Sequence, residues 1–267
     1  DHDVVEETNL HRQPLYAMLD IGKPKVEAAR AALRRFNPDV NVKAHAQRLT
    51  PQNAARVVAD ADVVVDAADS FAVTYILSDA CHAAAKPLVS ASVVGMTGYA
   101  GAFCGGGPSY RAVFPEVSVD GGTCATMGVL GTAVAVLGGL QAHLALHLLL
   151  GLEPTVLGRV VTFDAHRLAF GGFGFADSPE PEAFVPFIAP DAVTTDDLVV
   201  DLRSLEEAAV SPFAGAKRLD VEGGTSLAMS LPLQRVVLCC RSGQRALMAA
   251  DRLRDRCVSN LALVALG

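Results

Sequence analysis

The residues of this chain best suited to covalent chemistry lie in the stretch Arg235–Ala246, RVVLCCRSGQRA. Its aliphatic first half predicts a buried parallel strand, and the ALMAADRLR that overlaps its end has the spacing of an amphipathic helix. Cys240 would then lie in a tight loop between a strand end and a helix start, where backbone N–H groups converge. With the charges of Arg241 and Arg245 nearby, this loop is predicted to favour the thiolate, the nucleophilic form of cysteine.

The spacing of the loop allows three interpretations. Counted from Cys240, four residues precede Arg245, a pattern that resembles the active-site loop of rhodanese sulfurtransferases, whose cysteine carries a persulfide. Counted from Cys239, five residues precede Arg245, which is the spacing of cysteine-dependent phosphatases. The third interpretation is a buried structural thiol. We favour Cys240, because Cys239 belongs to the alternating strand and would point into the sheet.

A second thiol, Cys124, follows a glycine-rich stretch and directly precedes a long uncharged segment, Ala125–Leu152. A cysteine in a glycine-rich loop at a helix N-terminus is a further candidate for a reactive thiol. The segment is long enough to cross a bilayer, but Gln141, His143 and His147 lie inside it and no basic flank orients it. We therefore interpret it as a buried helix of an α/β domain, and no membrane partner is predicted.

The composition narrows the class of protein. The chain has 267 residues, of which 51% are hydrophobic and 19% charged, as expected for a globular protein with a sizeable core. Its net charge of -7 gives no electrostatic attraction to nucleic acid or to anionic membranes. Its six cysteines lack the spacing of a disulfide framework and its N-terminus lacks the features of a signal peptide, which predicts a reducing, cytoplasmic location.

Strands and helices alternate along the first part of the chain, which is typical of a doubly wound, mostly parallel sheet of the Rossmann-like α/β class. Ligands of such sheets bind beyond the carboxyl ends of the strands. Asp1, Asp69 and Ser70 stand at two such ends, where they could bind ribose or Mg²⁺ or simply cap a helix. The predicted elements are helices at Lys25–Arg35, Pro51–Ala59 and Phe71–Ala85 and strands at Val40–Ala46, Ala61–Ala67, Pro87–Val94 and Gly158–Asp164.

The stretch Gly171–Pro190 is rich in Gly, Pro and Phe and shows no periodicity, so it is predicted to separate two domains. We place the first domain at residues 1–172, a linker at 173–192 and a small α/β domain at 193–267. The second domain would contain a strand at Asp197–Arg203, a short helix at Leu205–Ala209 and the Cys240 loop.

The first domain resembles the ThiF/MoeB/HesA family, bacterial relatives of ubiquitin-activating enzymes. The resemblance covers about residues 1–170 and rests on several motifs in order. They are DHD followed by TNLHRQ within Asp1–Gln13, GKPK at Gly22–Lys25, DAADSF at Asp66–Phe71, and the stretch Gly121–Val129 followed by Gly138–Gln141. The second domain resembles rhodanese, with DLVVDLRSLEEA as its opening stretch.

The resemblance implies an adenylyltransferase that uses ATP and Mg²⁺ at the strand ends. The C-terminal carboxylate of a ubiquitin-like sulfur carrier ending in Gly-Gly would attack the α-phosphate of ATP. Fixed cations and a metal would stabilise the charge of the transition state. The residues implied are Asp1 for the ribose, Asn9, Arg12 and Lys25 for the phosphates, and Asp69 for Mg²⁺.

The same resemblance implies a second, sulfur-transfer stage. A persulfide on Cys240, loaded by a cysteine desulfurase or another sulfur donor, would attack the acyl-adenylate, with Arg241 and Arg245 beside it. Cys124 would form an intermediate with the carrier or resolve a disulfide. The chain is expected to act as a homodimer.

The chain departs from the family pattern at several positions. The family's glycine-rich phosphate loop, first strand and cross-dimer arginine would precede Asp1, which predicts either a fragment or a lost ATP site. Ser70 and Thr74 stand where the family has Asn and Arg. Ala112 stands at a zinc-binding cysteine and no Cys-x-x-Cys follows near Ala176, so no structural zinc is expected.

Other functions stay open at this point. One is sulfur transfer alone, with a degenerate ATP site that serves as a dimerisation and docking platform. Another is a phosphatase that uses Cys239. A scaffold without catalysis is the last, and it requires both thiols of the CysCys pair to be inert.

Overall fold

The structure is a computed structural model and describes residues 1–115, 128–229 and 234–267. The strands are β1 (Val64–Asp66), β2 (Pro87–Val94), β3 (Thr97–Cys104), β4 (Arg159–Asp164), β5 (Ala169–Gly174), β6 (Leu198–Asp201), β7 (Lys217–Arg218), β8 (Val236–Cys240) and β9 (Leu261–Ala265). The α-helices are α1 (Lys25–Phe36), α2 (Pro51–Ala59), α3 (Phe71–Ala83), α4 (Tyr110–Val113), α5 (Gly131–Leu149), α6 (Val221–Met229) and α7 (Gln244–Arg254).

The first sheet has the strand order β1-β2-β3-β4-β5. β1 and β2 are parallel and are connected by α3, as the alternating pattern predicts. The chain then reverses at Gly95, whose φ of 61° suits a tight hairpin, so β3 pairs antiparallel with β2. β4 and β5 extend the sheet in the same antiparallel way. The α/β class is confirmed, and the hairpin explains why three of the four strand pairs described in this sheet are antiparallel.

The second sheet has the strand order β7-β6-β8-β9 and all of its pairs are parallel. β8 lies between β6 and β9, and every one of its residues is buried. This position explains its unbroken apolar sequence, because a strand covered on both faces does not alternate. The predicted strand before the cysteine loop and the predicted helix after it are both confirmed, as β8 and α7.

Helix α5 is the core of the long uncharged segment. One side packs against β2 and β3 through Leu137 and Leu144, and Gln141 donates its side-chain amide to the carbonyls of Asp66 (2.5 Å) and Val89 (3.0 Å). The opposite side is exposed, with Leu146 at 55%. By length and composition α5 could cross a membrane, and 28% of its apolar 18-residue stretch is buried inside the protein. The predicted helix is confirmed, and its burial is one-sided.

One hydrophobic core joins the two sheets. Tyr75 of α3 and Phe103 of β3 belong to the same buried cluster as Leu238 of β8 and Leu253 of α7. Phe187 connects them, since its ring centroid lies 6.3 Å from that of Tyr75 and its backbone forms a β-bridge with Leu263. The stretch predicted as a linker thus contains the end of β5 and buried side chains of the shared core.

Two short predicted elements are not formed. Val40–Ala46 is a mostly exposed segment that makes no ladder with another strand within the described residues, and a strand requires such a partner. Leu205–Ala209 forms only one turn, closed by the N–H of Ala208 and the carbonyl of Ser204 at 3.2 Å. The guanidinium of Arg218 donates to the carbonyl of Ala208 in this turn.

Candidate active site

Cys240 ends β8 and begins the loop to α7. Its exposed fraction is 1%, and the backbone N–H groups of Ala246, Gly243 and Arg245 hydrogen-bond to its sulfur. Burial raises the pKa of the Cys240 thiol, and these N–H groups and the Arg245 charge offset part of that rise. The predicted preference for thiolate was wrong in its net direction, because it counted the dipoles and charges and omitted desolvation.

The two arginines of the loop have different environments. Arg245 donates to the Leu202 carbonyl at 2.7 Å and to both carboxylate oxygens of Glu207, at 2.8 and 2.5 Å. The hydrogen bond from Arg245 lowers the pKa of Glu207 to about 2. Arg241 is exposed, and its backbone carbonyl accepts the N–H of Gly267 at 2.8 Å. Arg245 is therefore held by the loop after β6, whereas Arg241 faces solvent.

Cys239 lies on the opposite face of the second sheet from Cys240. Its sulfur donates to the Val200 carbonyl at 3.5 Å, and it packs with Val237 and Val264 in a separate apolar cluster. Burial raises its pKa to about 12. This placement agrees with the prediction that Cys239 points into the sheet, and it removes the geometry that a phosphatase loop starting at Cys239 would need.

The Cys240 loop is docked on the N-terminus of α3. The carbonyl of Ser242 accepts the N–H of Ala72 at 3.0 Å, and the hydroxyl of Ser70 approaches the same carbonyl at 3.5 Å. The side chain of Ser70 makes no capping bond of its own, so the loop supplies the cap of this helix. Asp69 immediately precedes Ser70, and the two candidate loops are therefore neighbours.

Gly243 allows this close docking. Its φ is 88°, and an added Cβ would lie 2.8 Å from the ring of Phe187 and 3.0 Å from the Cβ of Ala72. Two separate costs follow for any other residue: a left-handed backbone and a steric clash.

We expect Gly243→Ala to lower the free energy of unfolding by about 2 kcal/mol or more, from the left-handed backbone and the clash together. Gly215→Ala is the matched control, because Gly215 has a φ of 76° and nothing within 4 Å of the added Cβ. The control should lose only the backbone part, about 1 kcal/mol. Urea unfolding of both variants measures the difference, and equal losses would contradict the close packing.

The predicted Mg²⁺ residue, Asp69, is exposed at the end of a loop that Asp66 organises. Asp66 is 2% exposed, and its carboxylate accepts the Ala68 N–H (3.0 Å), the Thr74 hydroxyl (2.7 Å) and the Ser90 hydroxyl (2.9 Å). Burial raises the pKa of Asp66, while these donors oppose the rise. Thr74, the residue at the arginine position discussed above, thus stabilises the buried carboxylate of Asp66 with its hydroxyl.

The remaining predicted nucleotide residues all belong to the first 25 residues of the chain. Lys25 pairs with Asp3 at 3.0 Å, and this bond lowers the pKa of Asp3. The side chain of Arg12 donates to the Thr8 carbonyl at 2.9 Å, and Asn9 is buried. Asp1 is exposed, and its carboxylate accepts a hydrogen bond from the backbone N–H of Asp3. Within the described part of the chain, none of these side-chain bonds reaches Asp69.

Sequence reasoning missed two contributors to the site, Glu207 and Ser242, and it named Asp66 only as part of the DAADSF motif. Glu207 is four residues beyond Arg203 in the opening stretch of the second domain, and only the β6–β8 pairing brings it to Arg245. Ser242 acts through its backbone, which leaves no mark in a sequence. Cys124, the second candidate thiol, lies outside the described residues.

Comparison with known proteins gives a family and several relatives. A ThiF family model matches residues 1–181. The SAMP-activating enzyme E1 of Haloferax volcanii is 37% identical over 213 residues, which are 79% of this chain and 76% of that protein. The probable adenylyltransferase/sulfurtransferase MoeZ of Mycobacterium tuberculosis is 30% identical over 285 residues, covering 92% of this chain and 72% of that protein.

The adenylyltransferase and sulfurtransferase MOCS3 of Bos taurus is 45% identical over 170 residues, which are 62% of this chain but only 37% of that protein. Among solved structures, E. coli MccB with ATP superposes with a TM-score of 0.58 at 22% identity, over 67% of this chain and 56% of MccB. At that identity the likeness establishes the fold alone. Since the family model spans more than half of the sequence, this chain belongs to the ThiF family.

Proposed function

We propose that this chain adenylates the C-terminal carboxylate of a ubiquitin-like sulfur carrier and then transfers sulfur to it from a persulfide on Cys240. Membership of the ThiF family and relatives named adenylyltransferases support the first step. The names of MOCS3 and MoeZ, together with the rhodanese-like loop, support the second. A cysteine desulfurase as donor, a homodimer and a cytoplasmic location belong to the same proposal.

The contact between the two candidate loops is the observation that carries the proposal. The carbonyl of Ser242 accepts the N–H of Ala72 at 3.0 Å, three residues after Asp69. A carrier terminus activated near Asp69 would therefore lie close to the Cys240 loop. A short path between two reacting groups raises the rate of transfer, because the folded protein already holds them close together and little entropy is lost in their encounter.

The nucleotide residues fit a metal–triphosphate complex by the chemistry of their donors. Lys25 and Arg12 supply fixed cations that would offset phosphate charge, and Asp69 supplies an exposed carboxylate for Mg²⁺. Asn9 would add an amide donor and Asp1 would bind the ribose. When bound, ATP supplies the adenylyl group, and these residues orient it for attack by the carrier carboxylate.

The proposed steps balance as follows. A carboxylate oxygen of the carrier bonds to the α-phosphorus of ATP, and pyrophosphate leaves. The terminal sulfur of the Cys240 persulfide bonds to the acyl carbon, and AMP leaves with the electron pair of the broken C–O bond. A second thiol, for which we propose Cys124, attacks the Cys240 sulfur and releases the thiocarboxylate. Two equivalents of an external thiol then reduce the disulfide formed between the two cysteines and are themselves oxidised to a disulfide.

Carrier-dependent ATP–pyrophosphate exchange tests the adenylation step. We expect exchange with a ubiquitin-like carrier that ends in Gly-Gly and none with the same carrier lacking those two residues. Mass spectrometry of the carrier should then show conversion of the terminal carboxylate to a thiocarboxylate when a sulfur donor is added. Absence of exchange would refute the proposal.

Sulfur transfer alone is the second candidate, and one observation favours it. Lys25, one of the proposed phosphate-binding cations, is paired with the carboxylate of Asp3 at 3.0 Å, so its charge is already offset. This candidate predicts thiosulfate-to-cyanide sulfur transfer that is lost in Cys240→Ser and unchanged in Asp69→Ala. Persistence of carrier adenylation would exclude it.

A further inference from the structure

The charge of Arg245 is already neutralised in the folded protein. Its two terminal nitrogens donate to the two oxygens of Glu207, and one of them also donates to the Leu202 carbonyl. Both side chains are about a third exposed, at 37% and 32%. Such a paired, fork-to-fork contact fixes the guanidinium in one direction.

Glu207 is held in place independently of Arg245. Its carboxylate accepts the backbone N–H of Ser204 at 2.8 Å, and its own N–H donates to the Ser204 hydroxyl at 3.2 Å. The carboxylate is therefore preorganised on the loop after β6. It therefore offers a fixed negative charge with which Arg245 of the neighbouring loop forms an ion pair.

Two other charged groups near the site, Asp201 and Arg241, have different environments. Asp201 is buried and bonded to Arg203, with Arg218 at 3.6 Å. Arg241 is exposed on the loop itself. Glu207 is thus the carboxylate that hydrogen-bonds to Arg245 and offsets its charge most directly.

We propose that Glu207 is a positioning residue of the sulfur site: it holds Arg245 at its own carboxylate and thereby weakens the effect of that charge on the Cys240 sulfur. The backbone N–H groups of the loop are then the main stabilisers of a thiolate or persulfide anion. Release of Arg245 from Glu207 increases the nucleophilicity available at a given pH. The inference rests on the proposed sulfur site, but it concerns the thiol itself and needs no transfer reaction.

The test is the pH profile of Cys240 alkylation by iodoacetamide in the full chain. The rate is followed at Cys240 by mass-spectrometric fragment ions that separate it from Cys239, in a Cys257→Ser background that removes an exposed thiol. We expect Glu207→Gln to move the midpoint of the profile to lower pH by about half a unit or more. Glu206→Gln, the exposed neighbouring acid, should leave the midpoint in place.

A double-mutant cycle with Arg245→Gln separates positioning from a direct effect of the Glu207 charge. We expect the shift caused by Glu207→Gln to be clearly larger when Arg245 is present than when it is absent. Equal shifts in the two backgrounds, or no shift at all, would overturn the proposal.

Should Glu207→Gln fail to fold, Arg245→Lys replaces it, because lysine keeps the charge and cannot form the paired contact. Its profile should also move to lower pH, and an unchanged one would overturn the proposal. Absence of carrier-dependent ATP–pyrophosphate exchange in the wild-type protein would instead refute the proposed function.

Discussion

Cys240→Ser should abolish formation of the carrier thiocarboxylate while ATP–pyrophosphate exchange stays within about twofold of wild type, because the covalent step alone needs the thiol. The sulfur of Cys240 receives three backbone N–H groups, and a serine oxygen at the same place cannot carry a persulfide. The variant should therefore accumulate adenylated carrier. Mass spectrometry of the carrier measures the loss of thiocarboxylate and the accumulation of adenylated carrier, and an exchange assay in parallel measures the retained adenylation.

Cys239→Ala is the matched control for this prediction. Cys239 faces the opposite side of the sheet and lies among valines, so its removal should leave thiocarboxylate formation intact. Because the Cys240 thiol has a raised pKa, loading of sulfur on wild-type protein should increase as the pH rises from neutral. Thiocarboxylate formation that survives Cys240→Ser but not Cys239→Ala would reverse the assignment of the reactive thiol.

Asp69→Asn should reduce carrier-dependent exchange about 100-fold or more, since it removes the charge that would hold Mg²⁺ against the phosphates. The substitution keeps the size of the side chain, and Asp69 is exposed, so the fold should be unaffected. Thermal unfolding with a midpoint close to wild type would establish this. Exchange measured over a range of Mg²⁺ concentrations would show whether the loss concerns the metal.

Asp62→Asn provides the matched control, because Asp62 is an exposed aspartate at the opposite end of β1. We expect its exchange rate to equal that of wild type. A residual rate near wild type in Asp69→Asn would remove Asp69 from the ATP site. Sulfur transfer without adenylation would then become the better description of the chain.

The shared core gives these two predictions a common structural basis. Phe187 packs between Tyr75 of the first unit and the Cys240 loop, and Arg48 donates to the carbonyls of Ala265 and Gly267 at the end of the chain. Several unrelated contacts therefore hold the two candidate loops at one distance. A rigid arrangement of this kind favours transfer between fixed sites over diffusion of an intermediate.

Much of the local structure could be predicted from the sequence. The apolar run before Cys240 indicates a buried strand, and the spacing after Gly243 indicates a helix, because each periodicity reflects which faces must avoid water. β1, α3 and β2 follow from the same reasoning. The hairpin at Gly95 could not be predicted so directly, since β2 and β3 are both apolar and read as one long stretch.

What the sequence determined by itself was the α/β class, the position of the cysteine loop and the family motifs, all of which depend on residues near one another in the chain. Only the tertiary structure decided that Glu207 holds Arg245, that Ser242 caps α3 beside Asp69, and that burial raises the pKa of Cys240. The physical reason is common to all three, because ion pairing, capping and desolvation depend on distances between residues far apart in sequence. The parallel pairing of β6 with β8 brings Glu207 to Arg245, and the core shared by the two sheets brings the Cys240 loop to α3 and buries it.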